Sequence, residues 1–172
     1  SIKWVDLLNF LDCKGKKVVG LKVNNEVFSL NRSVDVDSHV EPIFLDSRDG
    51  AEIYRRTLCL LLASASKALY PSLRLLISHS LGYGYFYTFE GEGAEHINIK
   101  DIEAKMREMV EKDLPIKTYL LSYERALKEF STSNQPDSYK LILHTSKPKI
   151  MVNLLSSYQD LYFQPVLPLS LI

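Results

Sequence analysis

The sequence predicts an α+β fold in which one long helix packs on an antiparallel sheet. Three observations carry it. Residues 18–23 (VVGLKV) and 26–30 (EVFSL) flank Asn24-Asn25, and asparagine tolerates the positive φ of a tight hairpin turn. Residues 47–70 hold apolar side chains at helical spacing up to Pro71, which cannot continue a helix. Beyond that proline, short strand-like runs alternate with short amphipathic stretches as far as residue 166.

In chain order, Ser1 can cap a first helix, because Trp4, Leu7, Leu8 and Leu11 follow at i, i+3, i+4 and i+7 and make one apolar face. Lys14-Gly15-Lys16 is a turn, the hairpin follows, residues 31–39 are a polar loop, and residues 40–45 are another short strand. Asp46 or Ser47 can cap the long helix. Asp49 and Glu52 suit its first turn, where the helix carries partial positive charge. Ile53, Thr57, Leu61, Ala65 and Ala68 mark its buried stripe, widened by Tyr54, Leu58, Leu62 and Leu69. Residues 73–77 and 85–89 are strands joined through Gly82 and Gly84. Residues 99–114 form an amphipathic helix with Ile102, Met106, Met109 and Val110 on one face and Glu103/Arg107 and Glu108/Lys112 as i, i+4 surface pairs, ended by Pro115. A strand over 116–121, a helix from Tyr123 to about Phe130 capped by Ser122, a short helix opening at Pro136, and strands over 149–155 and 161–166 complete the chain.

Composition narrows the function classes. With 172 residues, 46% of them apolar, the chain can bury a real core. Its formal net charge of zero argues against binding dominated by phosphate neutralisation. The longest apolar run, residues 58–63, is far too short to span a bilayer, and no signal-peptide pattern opens the chain. Cys13 and Cys59 stand far apart with no partner motif, so a reduced, cytoplasmic setting is expected and Cys59 is read as buried in the long helix. No G-x-x-x-x-G-K-[ST] string occurs, and LGYGYF lacks the third glycine of a dinucleotide fingerprint, so neither standard nucleotide cradle is present in this segment. The chain starts at Ser1 rather than methionine and ends on LPLSLI, which suggests a segment of a longer polypeptide.

One long stretch carries a resemblance. Residues 55–71 read RRTLCLLLASASKALYP and residues 75–90 read LLISHSLGYGYFYTFE. Together they resemble the opening of the editing domain of threonyl-tRNA synthetases, the second additional domain shared with alanyl-tRNA synthetases. In that family the helix carries H-x-x-x-H, and a later C-x-x-x-H completes the metal-binding or catalytic site. The matching positions here are Arg56 and Leu60, then Tyr162 and Val166 within YQDLYFQPVLP (158–168). Leucine and valine offer no donor atom, and arginine stays protonated and cannot ligate. The resemblance therefore implies a scaffold without its hydrolytic chemistry: no catalytic residue, no metal and no cofactor in this segment. It divides the chain into residues 1–46, which look like a truncated TGS-type β-grasp module lacking its first hairpin, and residues 47–172, the editing-like domain.

IYRR (53–56), HSLGYGYFY (79–87) and the DLP stop (113–115) look most like bacterial uridine kinase-like proteins, which place a TGS domain and this editing-like domain ahead of a P-loop kinase domain. On that resemblance the segment is a non-catalytic accessory or regulatory region. Its partner would be a kinase domain after Ile172, with ATP and Mg belonging to that domain only. The alternatives are an RNA- or tRNA-binding module, or a residual aminoacyl-tRNA deacylase. No membrane partner is expected, and self-association through the incomplete N-terminal module is.

Arg56, Ser64, Lys67, His79, Gly82 and Gly84 are the candidate ligand cleft, with Arg56 and Lys67 able to meet a phosphate. The simpler reading, a filled cleft edged by solvated cations, is preferred. His79 lacks a partner at metal-ligand spacing and is read as a hydrogen-bonded structural histidine. The run Tyr83, Tyr85, Phe86, Tyr87 and Phe89 could stack bases, but such runs are more often strand packing.

Overall fold

The structure, a computed structural model, describes residues 2–3, 13, 15–30, 33–34, 38–81 and 84–172. It is α+β, with every described strand pair antiparallel. The chain groups into two compact units, Ser1–Leu58 with Phe163–Ile172, and Cys59–Tyr162.

In the first unit, β1 (Ile2–Lys3) pairs with β4 (Ser33–Val34), while β2 (Val18–Val23) lies between β3 (Glu26–Phe28) and β5 (Val40–Phe44). The pairing of Ser33–Val34 corrects the expected continuous loop over 31–39. The first helix expected from Trp4, Leu7, Leu8 and Leu11 lies outside the described residues. Asn24 and Asn25 take φ of 47° and 70°, the left-handed pair that closes a two-residue hairpin. A register irregularity interrupts the β2–β5 ladder between Val18 and Gly20. Val19 packs with Ile43, Ile53 and Leu167, whereas Leu21 and Val23 pack with Leu30.

Helix α1 (Arg48–Leu69) begins against β5. Ser47 is its cap: the hydroxyl accepts the Gly50 N–H at 3.1 Å and donates to the Phe44 carbonyl at 2.6 Å. Asp46, the other candidate cap, instead pairs with Lys16 at 2.7 Å. A Cβ at position 50 would sit 2.0 Å from the Phe44 carbonyl oxygen, so only glycine allows the helix to start this close to the strand. The predicted stripe holds through Ile53, Thr57, Leu61 and Ala65, all buried, and fails at Ala68 and Leu69, which are exposed.

In the second unit, β9 (Lys149–Leu155) is the central strand between β8 (Ile116–Ser122) and β10 (Tyr158–Leu161). Helices α3 (Tyr123–Ser131) and α4 (Pro136–Leu143) bring Ala126, Phe130 and Ile142 onto Leu121, Ile150 and Val152. Burying Phe130 contributes about 2–3 kcal/mol by apolar area alone. Ser122 caps α3 by accepting the Arg125 N–H at 3.3 Å. Helix α2 (Ile99–Glu111) is capped by Asn98 and buries Ile102 and Met109. It stops short of the expected residue 114 because Asp113 turns left-handed at φ 43° ahead of Pro115.

β6 (Arg74–Leu81) and β7 (Gly84–Glu90) form a separate two-stranded sheet. Tyr87 and Phe89, half-buried, meet edge to face at 6.1 Å, while Tyr85 and Phe86 are exposed, so the described part of the aromatic run packs along the sheet surface and not in the core. The expected last strand over 161–166 is also corrected. The strand is YQDL (158–161), set by a turn with Ser156 at φ 55°, and the chain leaves the sheet after Tyr162, with residues 163–166 outside it. No described helix is long and apolar enough to cross a membrane.

Candidate functional site

Of the four positions that the resemblance singles out, Arg56 makes side-chain hydrogen bonds, Leu60 and Val166 are buried, and Tyr162 is half-buried. Arg56, half-buried on α1, donates from Nη1 to the Pro165 carbonyl at 3.1 Å and from Nη2 to Gln164 Oε1 at 3.2 Å. One residue on, fully buried Thr57 accepts the Leu167 N–H at 2.9 Å and donates to the Ile53 carbonyl at 2.8 Å. The C-terminal segment is therefore clamped to the helix by consecutive side chains. Pro165 explains part of the geometry: it has no N–H for a strand ladder, but its carbonyl can still accept from arginine.

Leu60 is 6% exposed and Val166 8%, so each is core rather than the lining of an open site. Tyr162 is half-buried, and its backbone N–H donates to the Met151 carbonyl at 2.9 Å, carrying the antiparallel pairing one residue past β10. Among the described residues, no group of three or more His, Cys, Asp or Glu side chains could hold a metal ion.

Ser64, buried, donates its hydroxyl to the Leu155 carbonyl at 2.9 Å. Lys67 donates to the Pro71 carbonyl at 2.9 Å at the end of its own helix. Arg56 and Lys67 lie about three turns apart on one helix. Gly84 opens β7 opposite Leu81. The His79 side chain and Gly82 lie outside the described residues, as does Tyr83. Cys59 is half-buried.

Just before Tyr162, β10 carries a polar cluster. Gln135 Nε2 donates to the Tyr158 hydroxyl and to the Gln159 carbonyl, both at 3.0 Å. The Tyr158 and Ser138 hydroxyls each reach Asp160 at 3.4 Å, and the Leu161 N–H donates to its Oδ1 at 2.7 Å. Burial, then the neighbouring Asp160 charge, pushes the Tyr158 hydroxyl well above the usual tyrosine range. Burial raises the Asp160 carboxyl, opposed by the Leu161 N–H and the two hydroxyls. Sequence reading found neither this cluster nor the Thr57 clamp. The hydroxyl at position 57 sits on the predicted buried stripe, which is the one signal that it needs a partner. Gln135 and Tyr158 stand at no motif spacing.

No family model matches this chain. It is similar to the threonine–tRNA ligase of Clostridium kluyveri (30% identical over 144 residues, 83% of this chain and 23% of that protein). It is similar also to those of Desulforamulus reducens (32% over 140 residues, 81% and 21%) and Thermotoga petrophila (29% over 158 residues, 89% and 24%). The chain thus spans between a fifth and a quarter of the length of these curated relatives. Over most of its length it resembles one segment of threonine–tRNA ligases.

Proposed function

We propose that this chain is a non-catalytic accessory module, related to a tRNA-synthetase segment, in which the positions once used for hydrolysis serve as structural fastenings. The observation that supports this most directly is the Arg56 clamp. A cationic side chain stands where the resemblance calls for a neutral ligand, and its two terminal nitrogens donate to Pro165 and Gln164. Leu60 and Val166, buried and apolar, can activate a water neither through a metal nor as a general base.

On the resemblance of IYRR, HSLGYGYFY and DLP, the larger polypeptide is a uridine kinase-like protein, and this module positions or regulates its ATP-dependent kinase domain. The test is to assay the longer polypeptide for ATP-dependent phosphorylation of uridine, with and without residues 1–172. The reading predicts phosphorylation whose rate or uridine dependence changes when the module is removed. A longer polypeptide with a synthetase catalytic domain, charging tRNA with threonine, would overturn it.

A further inference from the structure

A pocket of about 270 Å³ opens in the second unit, formed by the end of α1, the segment after α3, and the β9–β10 turn. Its size is near the lower end of small-molecule sites. Its wall is held in advance. Gln135 is fixed on Tyr158 and the Gln159 carbonyl, and the Gln159 amide donates to Glu129 at 3.0 Å. Glu129 is neutralised in turn by Arg125 at 2.6 Å. The carbonyls of the last turn of α3 are covered as well: Thr132 donates to Glu129 O at 3.2 Å and Ser133 to Phe130 O at 3.0 Å. That coverage weakens the negative charge a helix C-terminus would present.

What remains available is unbalanced. Lys67 uses one of its three ammonium hydrogens on Pro71 O and has no carboxylate partner among the described residues. Ser157 lines the pocket with no hydrogen bond from its hydroxyl among the described residues, and Thr132, Ser133 and Gln135 keep acceptor oxygens. From this we infer that the pocket binds a small hydroxylated anion, its carboxylate or phosphate head on Lys67 and Ser157 and its hydroxyls on the acceptor oxygens. The inference does not depend on the proposed function.

The test uses the whole chain, glycerol 3-phosphate, glycerate and glycerol as probes, and backbone amide NMR shifts as the readout. Saturable shifts at Ser133, Ser157 and Gln159 are expected with one or both anions below about 10 mM, and none with glycerol. Which anion binds more tightly identifies the head group. Lys67→Met should weaken binding about tenfold or more. If that variant loses the native spectrum, Ser157→Ala, at an exposed turn position, should weaken binding severalfold. Absence of saturable shifts, equal shifts with glycerol, or unchanged binding in the variant that folds would overturn the inference.

Discussion

Two polar regions of this molecule use the same side-chain chemistry to opposite ends. At the Arg56–Thr57 clamp both terminal guanidinium nitrogens and the Thr57 hydroxyl meet protein acceptors, and the Leu167 N–H that Thr57 accepts belongs to a fully buried residue. Around the Lys67 pocket the amides and the carboxylate are fixed on one another, yet an ammonium and a hydroxyl are left facing open space. Sequence patterning alone would rank the two the other way, because the resemblance puts Arg56 at an expected ligand position and Gln135 and Tyr158 at no motif. The difference teaches that the role of a polar side chain is read from the partners it meets in the fold, and not from where a motif falls.

The first unit is the more sensitive of the two to substitution. Gly50→Ala should be the largest effect. Its Cβ would overlap the Phe44 carbonyl, so α1 must shift from β5, with a loss of about 3 kcal/mol or more in a denaturant titration. Next, Thr57→Val keeps the shape but leaves the buried Leu167 N–H without an acceptor, at a cost of about 1–3 kcal/mol. Amide exchange at Leu167 should accelerate in that variant while exchange in β9 stays unchanged; unchanged exchange at Leu167 would break the clamp.

Ser66 offers a control for the idea that satisfaction decides. Its hydroxyl is buried and, unlike those of Thr57 and Ser64, has no hydrogen-bond partner among the described residues. Ser66→Ala should therefore be neutral or stabilising by up to about 1 kcal/mol in thermal unfolding, where Ser64→Ala, which loses the bond to Leu155, costs about 1 kcal/mol.

The smallest effect is a pH dependence on α2. Hydrogen bonds from Lys112 and then Lys105 hold the Glu108 carboxyl down at about 2, from an ordinary value of 4.5. A carboxyl lowered in the fold adds stability that is present above pH 4.5 and lost as pH falls toward 2. The group is solvent-exposed, so the effect on the unfolding midpoint is small and screened by salt. Wild type and Glu108→Gln should differ slightly at neutral pH and converge near pH 2.

Most of the architecture was legible in the sequence because it follows from local rules. Asn24-Asn25 sets the hairpin, Pro71 and Pro115 lie just beyond helix ends, and Ser122 caps a helix. What failed was what depends on distant partners. The LYFQPV run has strand-like hydrophobicity, but Gln164, Pro165 and Leu167 bond to Arg56 and Thr57, while the strand itself is the more polar YQDL. The residue types at positions 56, 60, 162 and 166 could be read directly. That Arg56 bonds to Gln164 and Pro165 could not, because these acceptors are more than a hundred residues away.

The central claim is that these four positions hold structure and perform no chemistry. Its most direct test is hydrolysis of serine mischarged onto threonine tRNA by the purified chain, with and without added zinc, alongside metal content and the Arg56→His, Leu60→His double variant. The account predicts no hydrolysis above the spontaneous rate and no stoichiometric zinc in the wild-type chain, and a less stable double variant. Zinc-dependent hydrolysis by the wild-type chain would contradict it.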